Sequence, residues 1–415
     1  MNATDKSAGL PMKAGDREDR MKLKQAVDAA IAKLLEKGVE IPDPFSIHLG
    51  ADVDPDHISG GVKIHPGCRI YGAGTVISNG SIIGREGPVT VENCRLGPSV
   101  ELKGGYFKDS VFLEKANMAS GAHVREGCIL EEQAGGAHCV GLKQTILFPF
   151  VTLGSLINFC DCLMAGGTSR KDHSEVGSSF IHFNFTPEGD KTTPSLIGDV
   201  PRGVMLNQPP IFLGGQGGIV GPVRLGFGNV VAAGTILRDD VLDDNKLITG
   251  KTPGGKIIDL ARGAYPRLGR ILENNLIYIA NLLALEQWYI HVRQGFFLRG
   301  QFGPLIYRGA MENLAGAMAE RLKRLETMAG KVAESADSGF PGSAAPARAE
   351  LGRNIPEVID IFNTEAASLV AHEIRDPFLS ELQACAPSGS GNYIDCIQAL
   401  PASVSGMGTR WLERI

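Results

Sequence analysis

The chain has 415 residues, 43% of them hydrophobic and 21% charged, enough for about two or three domains and a sizeable core. A net charge of −5 gives no basic field to gather nucleic acid, so no nucleic-acid partner is expected and any anion site has to be local. There is no hydrophobic leader and no apolar run long enough to span a bilayer, so the expectation is a cytoplasmic protein with no membrane partner.

With 53 glycines against 6% aromatics, the composition favours tight turns and small side chains over a bulky aromatic core. None of the eight cysteines forms a CxxC pair, and no Cys/His spacing matches a zinc site. No structural metal is therefore expected, and the thiols read as reduced and mostly buried.

Residues 1–19 are polar and weakly patterned, a mobile tail. Residues 20–50 read as a linker helix and connector. Leu23, Val27, Ala30, Ile31, Leu34 and Leu35 share one helical face, and Gly38 with Pro42 and Pro44 ends it. Over residues 51–253 the period changes to six: Ile58, Ile64, Ile70, Val76 and Ile82, then Phe112, Met118, Val124 and Leu130. The same spacing returns at Leu147, Leu153 and Phe159, and from Leu213 through Ile219, Leu225 and Val231 to Leu237. Glycines recur between these residues.

A repeat this short marks a parallel β-solenoid of hexapeptides, each a short strand and a corner with one apolar residue inward. Residues 165–200 break the phase and are expected to emerge as loops, where function concentrates. After Gly254 the pattern turns helical. Leu268 to Phe297 and Met311 to Val332 read as helices within a helical region, 254–334. Residues 335–350 read as a flexible linker and 351–415 as a C-terminal helical segment, with Ile355 to Ile374 helical. Whether these helices cap the coils or mediate assembly is left open. The fold class is mainly β.

Several motifs carry a resemblance. The segments LLEKGVEIPDP, IHFNFTPEGDKTTPSLIGD and FLGGQGGIVGPVRLGFGNVVAAGTILRDDV resemble the acetyltransferase half of the bacterial bifunctional N-acetylglucosamine-1-phosphate uridylyltransferase and glucosamine-1-phosphate N-acetyltransferase. The resemblance runs from about Leu23 to Val241. It implies a left-handed coil, against the usual right-handed crossover, a homotrimer, and acyl-CoA, such as acetyl-CoA, as co-substrate between subunits. The uridylyltransferase half is expected to be absent, since only some 50 residues precede the coils.

The resemblance also implies site residues. Arg125 and Lys143 match the cations that hold a sugar phosphate. They stand eighteen residues, or one coil, apart, so they should stack and repel unless an anion bridges them. Asp161, eighteen further on, is expected to continue that column as a counter-charge. Asn184 and Lys191 match positions near the sugar and phosphate. If Phe180 to Phe185 is a strand, His182 and Asn184 share a face that could wall a pocket. Ser178, Gly215 and Ala233 match small residues that let pantetheine lie against the backbone.

The family's catalytic histidine falls on Ser155, and its tyrosine on Asn158. Acetyl transfer needs a base near neutrality, and a lone serine hydroxyl is far too weak. Three explanations stay open: the base has moved to His173 or His182, oriented by Asp172 or Glu175; the acceptor is different; or the chain binds a sugar phosphate or nucleotide sugar without acyl transfer. The first two make it an acyltransferase, the third a non-catalytic binding or assembly protein on a trimeric scaffold. A metal-dependent hydratase on the same coil is disfavoured, because His57/His65 and His173/His182 lack its histidine spacing.

Overall fold

A computed structural model of the chain describes residues 14–184, 186–250, 255, 257, 265–336, 345–364, 371–385 and 391–415. Helix α1 (Ala14–Glu36) starts inside the expected tail, and Leu34 at its end is buried. Short parallel strands then run from His48–Leu49 to Leu247–Ile248 and stack into a three-faced solenoid.

On face 1 the inward column reads Leu49, Ile70, Val91, Phe107, Val124, Leu142 and Phe159, each paired in register with the next. On face 2, Ile77, Leu96, Phe112, Leu130 and Leu147 form the matching column. On face 3 it is Ile64, Ile83, Leu102, Met118, Gly136 and Leu153. Each large apolar residue so enclosed contributes roughly 1.5–3 kcal/mol of burial.

The hexad register does not hold throughout. Ile64 pairs with Ile83, nineteen residues on, and Ile83 is fully buried while Ile82 is half-exposed, because this coil carries one extra residue. Coil length varies with the corners: Val91 to Phe107 is sixteen residues, Val124 to Leu142 eighteen. Left-handed backbone turns many corners. Asn93, Asp109, Gln144 and Asp161 have φ between 44° and 60°, which Asn and Asp tolerate better than most residues.

The phase break resolves into an antiparallel hairpin (Gly167–Ser169 with Asp172–His173), a loop over 186–194, and a short helix α2 (Val200–Gly203) capped by Asp199.

The helices lie alongside the coils rather than capping them. Helix α3 (Leu268–Trp288) continues through a π-helical turn (Tyr289–Arg293) into α4 (Gln294–Phe297). Helix α5 (Gly303–Ala336) runs longer than expected and packs on face 2. Helix α6 (Ala345–Thr364) takes in the end of the expected linker, whose residues 337–344 lie outside the described residues. Helices α7 (His372–Cys385), α8 (Tyr393–Gln398) and α9 (Ala402–Leu412) follow. Among the described residues no helix is long and apolar enough to cross a membrane.

One buried cluster seals the docking. Arg293 grips Glu132 with two hydrogen bonds of 2.7 and 3.0 Å, and the Tyr289 hydroxyl donates to Glu131 at 2.5 Å. Burial pushes the Glu131 carboxyl up to about 7, against the Arg293 charge and with Glu132 adding to the rise. Its unfolded value is 4.5, so the folded state binds the extra proton between 4.5 and about 7. Stability from this group is therefore full below pH 4.5 and is lost as pH rises through about 7. Glu131→Gln, which keeps the neutral shape, is expected to remove that loss and stabilise the protein at pH 8 by up to about 3 kcal/mol. Urea midpoints at pH 5 and pH 8 check this; an equal effect at both would contradict it.

Candidate active site

Arg125 follows the inward Val124 and Lys143 follows Leu142, so the two cations stand on adjacent rungs of face 1. They line a cleft of about 450 Å³ together with His123, Cys139, Asn158 and Cys160. Lys143 Nζ lies 2.7 Å from Glu126, the residue after Arg125. Burial tends to raise the Glu126 carboxyl, but its bond to Lys143 and a backbone hydrogen bond more than offset this and hold it below the usual range. Glu126, not Asp161, is thus the counter-charge beside the two cations.

Asp161 departs from the expected column because the next coil is one residue shorter. Lys143 pairs with Cys160, and Asp161 turns at the corner into the helical layer. There it is buried against Arg321 Nη2 at 2.8 Å and hydrogen-bonded by Asn184. Arg321 also donates to the Lys191 carbonyl at 3.3 Å. Lys191 is exposed in the 186–194 loop. The Cys160 thiol, raised by burial and by Asp161, feels the opposing charges of Arg125, Lys143 and Lys191 together. The cleft is therefore cationic and suits an anionic ligand such as a phosphate.

A second feature is a corner column between faces 3 and 1. Gly136, Leu153, Val176, Leu213 and Val231 pair rung to rung. Two residues beyond each stand His138, Ser155, Ser178, Gly215 and Ala233. The backbones at this corner approach closely. A Cβ on Gly177 would fall 2.4 Å from the Gly215 amide nitrogen, and one on Gly214 2.3 Å from that of Ala233, so neither position accepts a side chain. Ser178 Oγ accepts from the Ser155 amide at 3.2 Å, and the Ser155 hydroxyl lies 2.8 Å from His138 Nδ1.

The two histidines considered as relocated bases lie elsewhere. His182 takes the inward position of face 1 between Phe159 and Ile219, where an apolar residue normally stands. It is fully enclosed with Nε2 2.8 Å from Ser195 Oγ, and burial pushes its pKa down to about 4. The strand there is Ile181–Phe183, shorter than expected; Ile181 and Phe183 face out, and Phe185 lies outside the described residues. The His182 side forms core, not the wall of a pocket. His173 sits on the protruding hairpin, 3.8 Å from Glu175, and does not line the cleft. Asp172 accepts from Thr168 instead of orienting it. Among the described residues no group of three or more His, Cys, Asp or Glu side chains is placed to hold a metal ion.

His138 was not singled out from sequence. It stands seventeen residues before Ser155, so counting back a full coil of eighteen lands on Ala137 instead.

No family model matches the chain. Similarity to known proteins is nonetheless extensive. Over about half its length the chain is homologous to the bifunctional protein GlmU. It is 29% identical to GlmU of Pelobacter propionicus over 224 residues, which cover 53% of this chain and 43% of that protein. With GlmU of Thermotoga maritima it shares 28% identity over 214 residues, 51% of this chain and 42% of the relative. For Staphylococcus haemolyticus GlmU the figures are 25% over 231 residues, 55% and 46%. The chain thus spans less than half the length of the GlmU proteins it matches. Among solved structures, the polysialic acid O-acetyltransferase OatWY is matched at 15% identity over 56% of this chain and 96% of that one, with a TM-score of 0.16 that carries no further weight.

Proposed function

We propose that the protein is an acyl-CoA-dependent acyltransferase, most simply an N-acetyltransferase, acting on an amino-sugar phosphate or a nucleotide sugar as in UDP-N-acetylglucosamine biosynthesis. The observation that carries this reading is the cleft lined by the stacked cations Arg125 and Lys143 with Asn158, whose Cys160 also feels the Lys191 charge, on a solenoid homologous to GlmU. A phosphate in the cleft displaces Glu126 from Lys143 and bridges the two stacked cations with charge-assisted bonds. Acyl-CoA lies along the corner column, where Ser178, Gly215 and Ala233 leave room for pantetheine, and its thioester reaches Ser155. Asp161, paired with Arg321 and hydrogen-bonded by Asn184, stands on the helical side next to Cys160 of the cleft.

The working unit in this reading is a cytoplasmic homotrimer. Outward apolar side chains on the late coils support it: Ile181 and Phe183 are each 39% exposed and Ile236 is 36% exposed on face 1, with Phe212 at 40% and Val230 at 40% on face 3. Such residues suit a subunit contact.

The test is CoA release from acetyl-CoA with glucosamine-1-phosphate and a panel of UDP-amino sugars. Lys143→Ala is expected to raise KM for the acceptor about 10- to 100-fold, the worth of one charge-assisted hydrogen bond. Absence of CoA release with every acceptor would sink the acyltransferase. A second reading, a sugar-phosphate-binding platform without catalysis, is favoured by Ser155 at the histidine position; it predicts ligand-induced thermal stabilisation that Lys143→Ala abolishes, with no turnover.

A further inference from the structure

We infer that His138 is the general base of this site and that Ser155 is its positioning partner, so that the base stands one rung before the place where the related histidine would fall. This rests on the acyltransferase reading.

The geometry is local and specific. Ser155 Oγ and His138 Nδ1 are 2.8 Å apart, and the Leu156 amide donates to the His138 carbonyl at 3.0 Å, which fixes the two residues on successive rungs of one corner. His138 is exposed at the protein surface, and its neighbour Cys139 lines the cationic cleft. The corner column continues through Ser178 to Gly215 and Ala233, so one surface line leads from the small-residue corner to the imidazole. The rung below presents Ser120 and Gly121 at this corner, and the rung above Ser155 and Leu156. The titratable groups on this side are Cys139 beside the ring and, in the cleft, His123, Cys160, Arg125 and Lys143 with Glu126.

The chemistry follows from one tautomer. With Nδ1–H donating to Ser155 Oγ, the proton is on Nδ1 and Nε2 keeps a free lone pair. The amine or hydroxyl of the acceptor attacks the thioester carbonyl and passes its proton to Nε2. The tetrahedral intermediate collapses with cleavage of the C–S bond, and the departing CoA thiolate takes the proton back from the imidazolium. Acyl-CoA and acceptor become acylated acceptor and free CoA, with no other reactant. Ser155 does not act as a base; it stops the ring from rotating and selects the tautomer.

The experiment measures CoA release by the full-length protein as a function of pH for wild type, His138→Gln, Ser155→Ala and Ser155→Thr. His138→Gln, at an exposed position, is expected to lower kcat at least 100-fold, to leave KM for acetyl-CoA within about twofold, and to abolish the acid limb of the pH profile. Ser155→Ala should lower kcat about 10-fold and keep the limb, and Ser155→Thr, which retains the hydroxyl, should restore it. Wild-type turnover and an intact acid limb in His138→Gln would overturn the assignment while leaving the acyltransferase standing. A wild type that releases no CoA with any acceptor would overturn both.

Discussion

Arg293→Met is expected to destabilise the protein by about 4–5 kcal/mol, the cost of breaking a buried ion pair by removing one partner. Arg293 is 1% exposed, stacks 3.7 Å from the Tyr393 ring centre, and supplies the guanidinium that both Glu131 and Glu132 face. Burial works against its charge, but the two carboxylates overcome this and raise its pKa well above normal, so it stays protonated. Without it, two adjacent carboxylates remain at the seam with no counter-charge, and at least one has to take up a proton. Methionine keeps the packing between Tyr289, Phe297 and Tyr393, so the loss measures charge rather than volume. The measurement is the urea midpoint at pH 7.5 for Arg293→Met, alone and with Glu132→Gln. The second change should recover part of the loss. A midpoint within about 0.5 kcal/mol of wild type would mean that the seam is wet or open in solution.

The second large effect lies at Asp161. Arg321→Met is expected to cost about 3–5 kcal/mol, and Asp161→Asn less, because a neutral amide still fits the Asn184 side. The ion pair is enclosed on both sides, with side-chain exposures of 3% and 6%. Burial raises the Asp161 carboxyl, and Arg321 followed by Asn184 counters only part of that rise. A double-mutant cycle should give a coupling of about 2 kcal/mol. Additive losses would contradict direct pairing. Because Arg321 also holds the Lys191 carbonyl, Arg321→Met should release the 186–194 loop, seen as faster amide exchange there.

The coils were legible because a three-faced stack needs an inward side chain about every sixth residue. Leu153, Phe159, Leu213 and Val231 had no alternative role. What the period hid was the bookkeeping at corners. An extra or missing corner residue leaves the hydrophobic pattern almost intact yet rotates everything after it. That is why Ile83 rather than Ile82 is enclosed, and why Asp161 leaves the Arg125 and Lys143 column for Arg321. His182 misled for a related reason: a polar residue at an inward position reads as a surface group unless its rung partners, Phe159 and Ile219, are known. His138 was invisible because its partner Ser155 is one coil away, a neighbour in space only once coil length is fixed. The docking of α3 and α5 could not be read either, since an amphipathic helix announces that it has a partner but not which.

The helical layer changes how such a stack comes apart. A bare solenoid frays from its ends, because each rung answers only to the two beside it. Here α3 and α5 fasten rungs far apart in the stack: Arg95 to Glu312, Asn313 to the carbonyls of Asp109 and Cys128, Arg321 to Asp161, Asn281 to Val200, Asn274 to Asp240. Peeling off one end therefore means lifting a strut that also grips the middle. The coils become a single cooperative unit, and the cationic cleft, halfway along, is shielded from fraying that begins at either end.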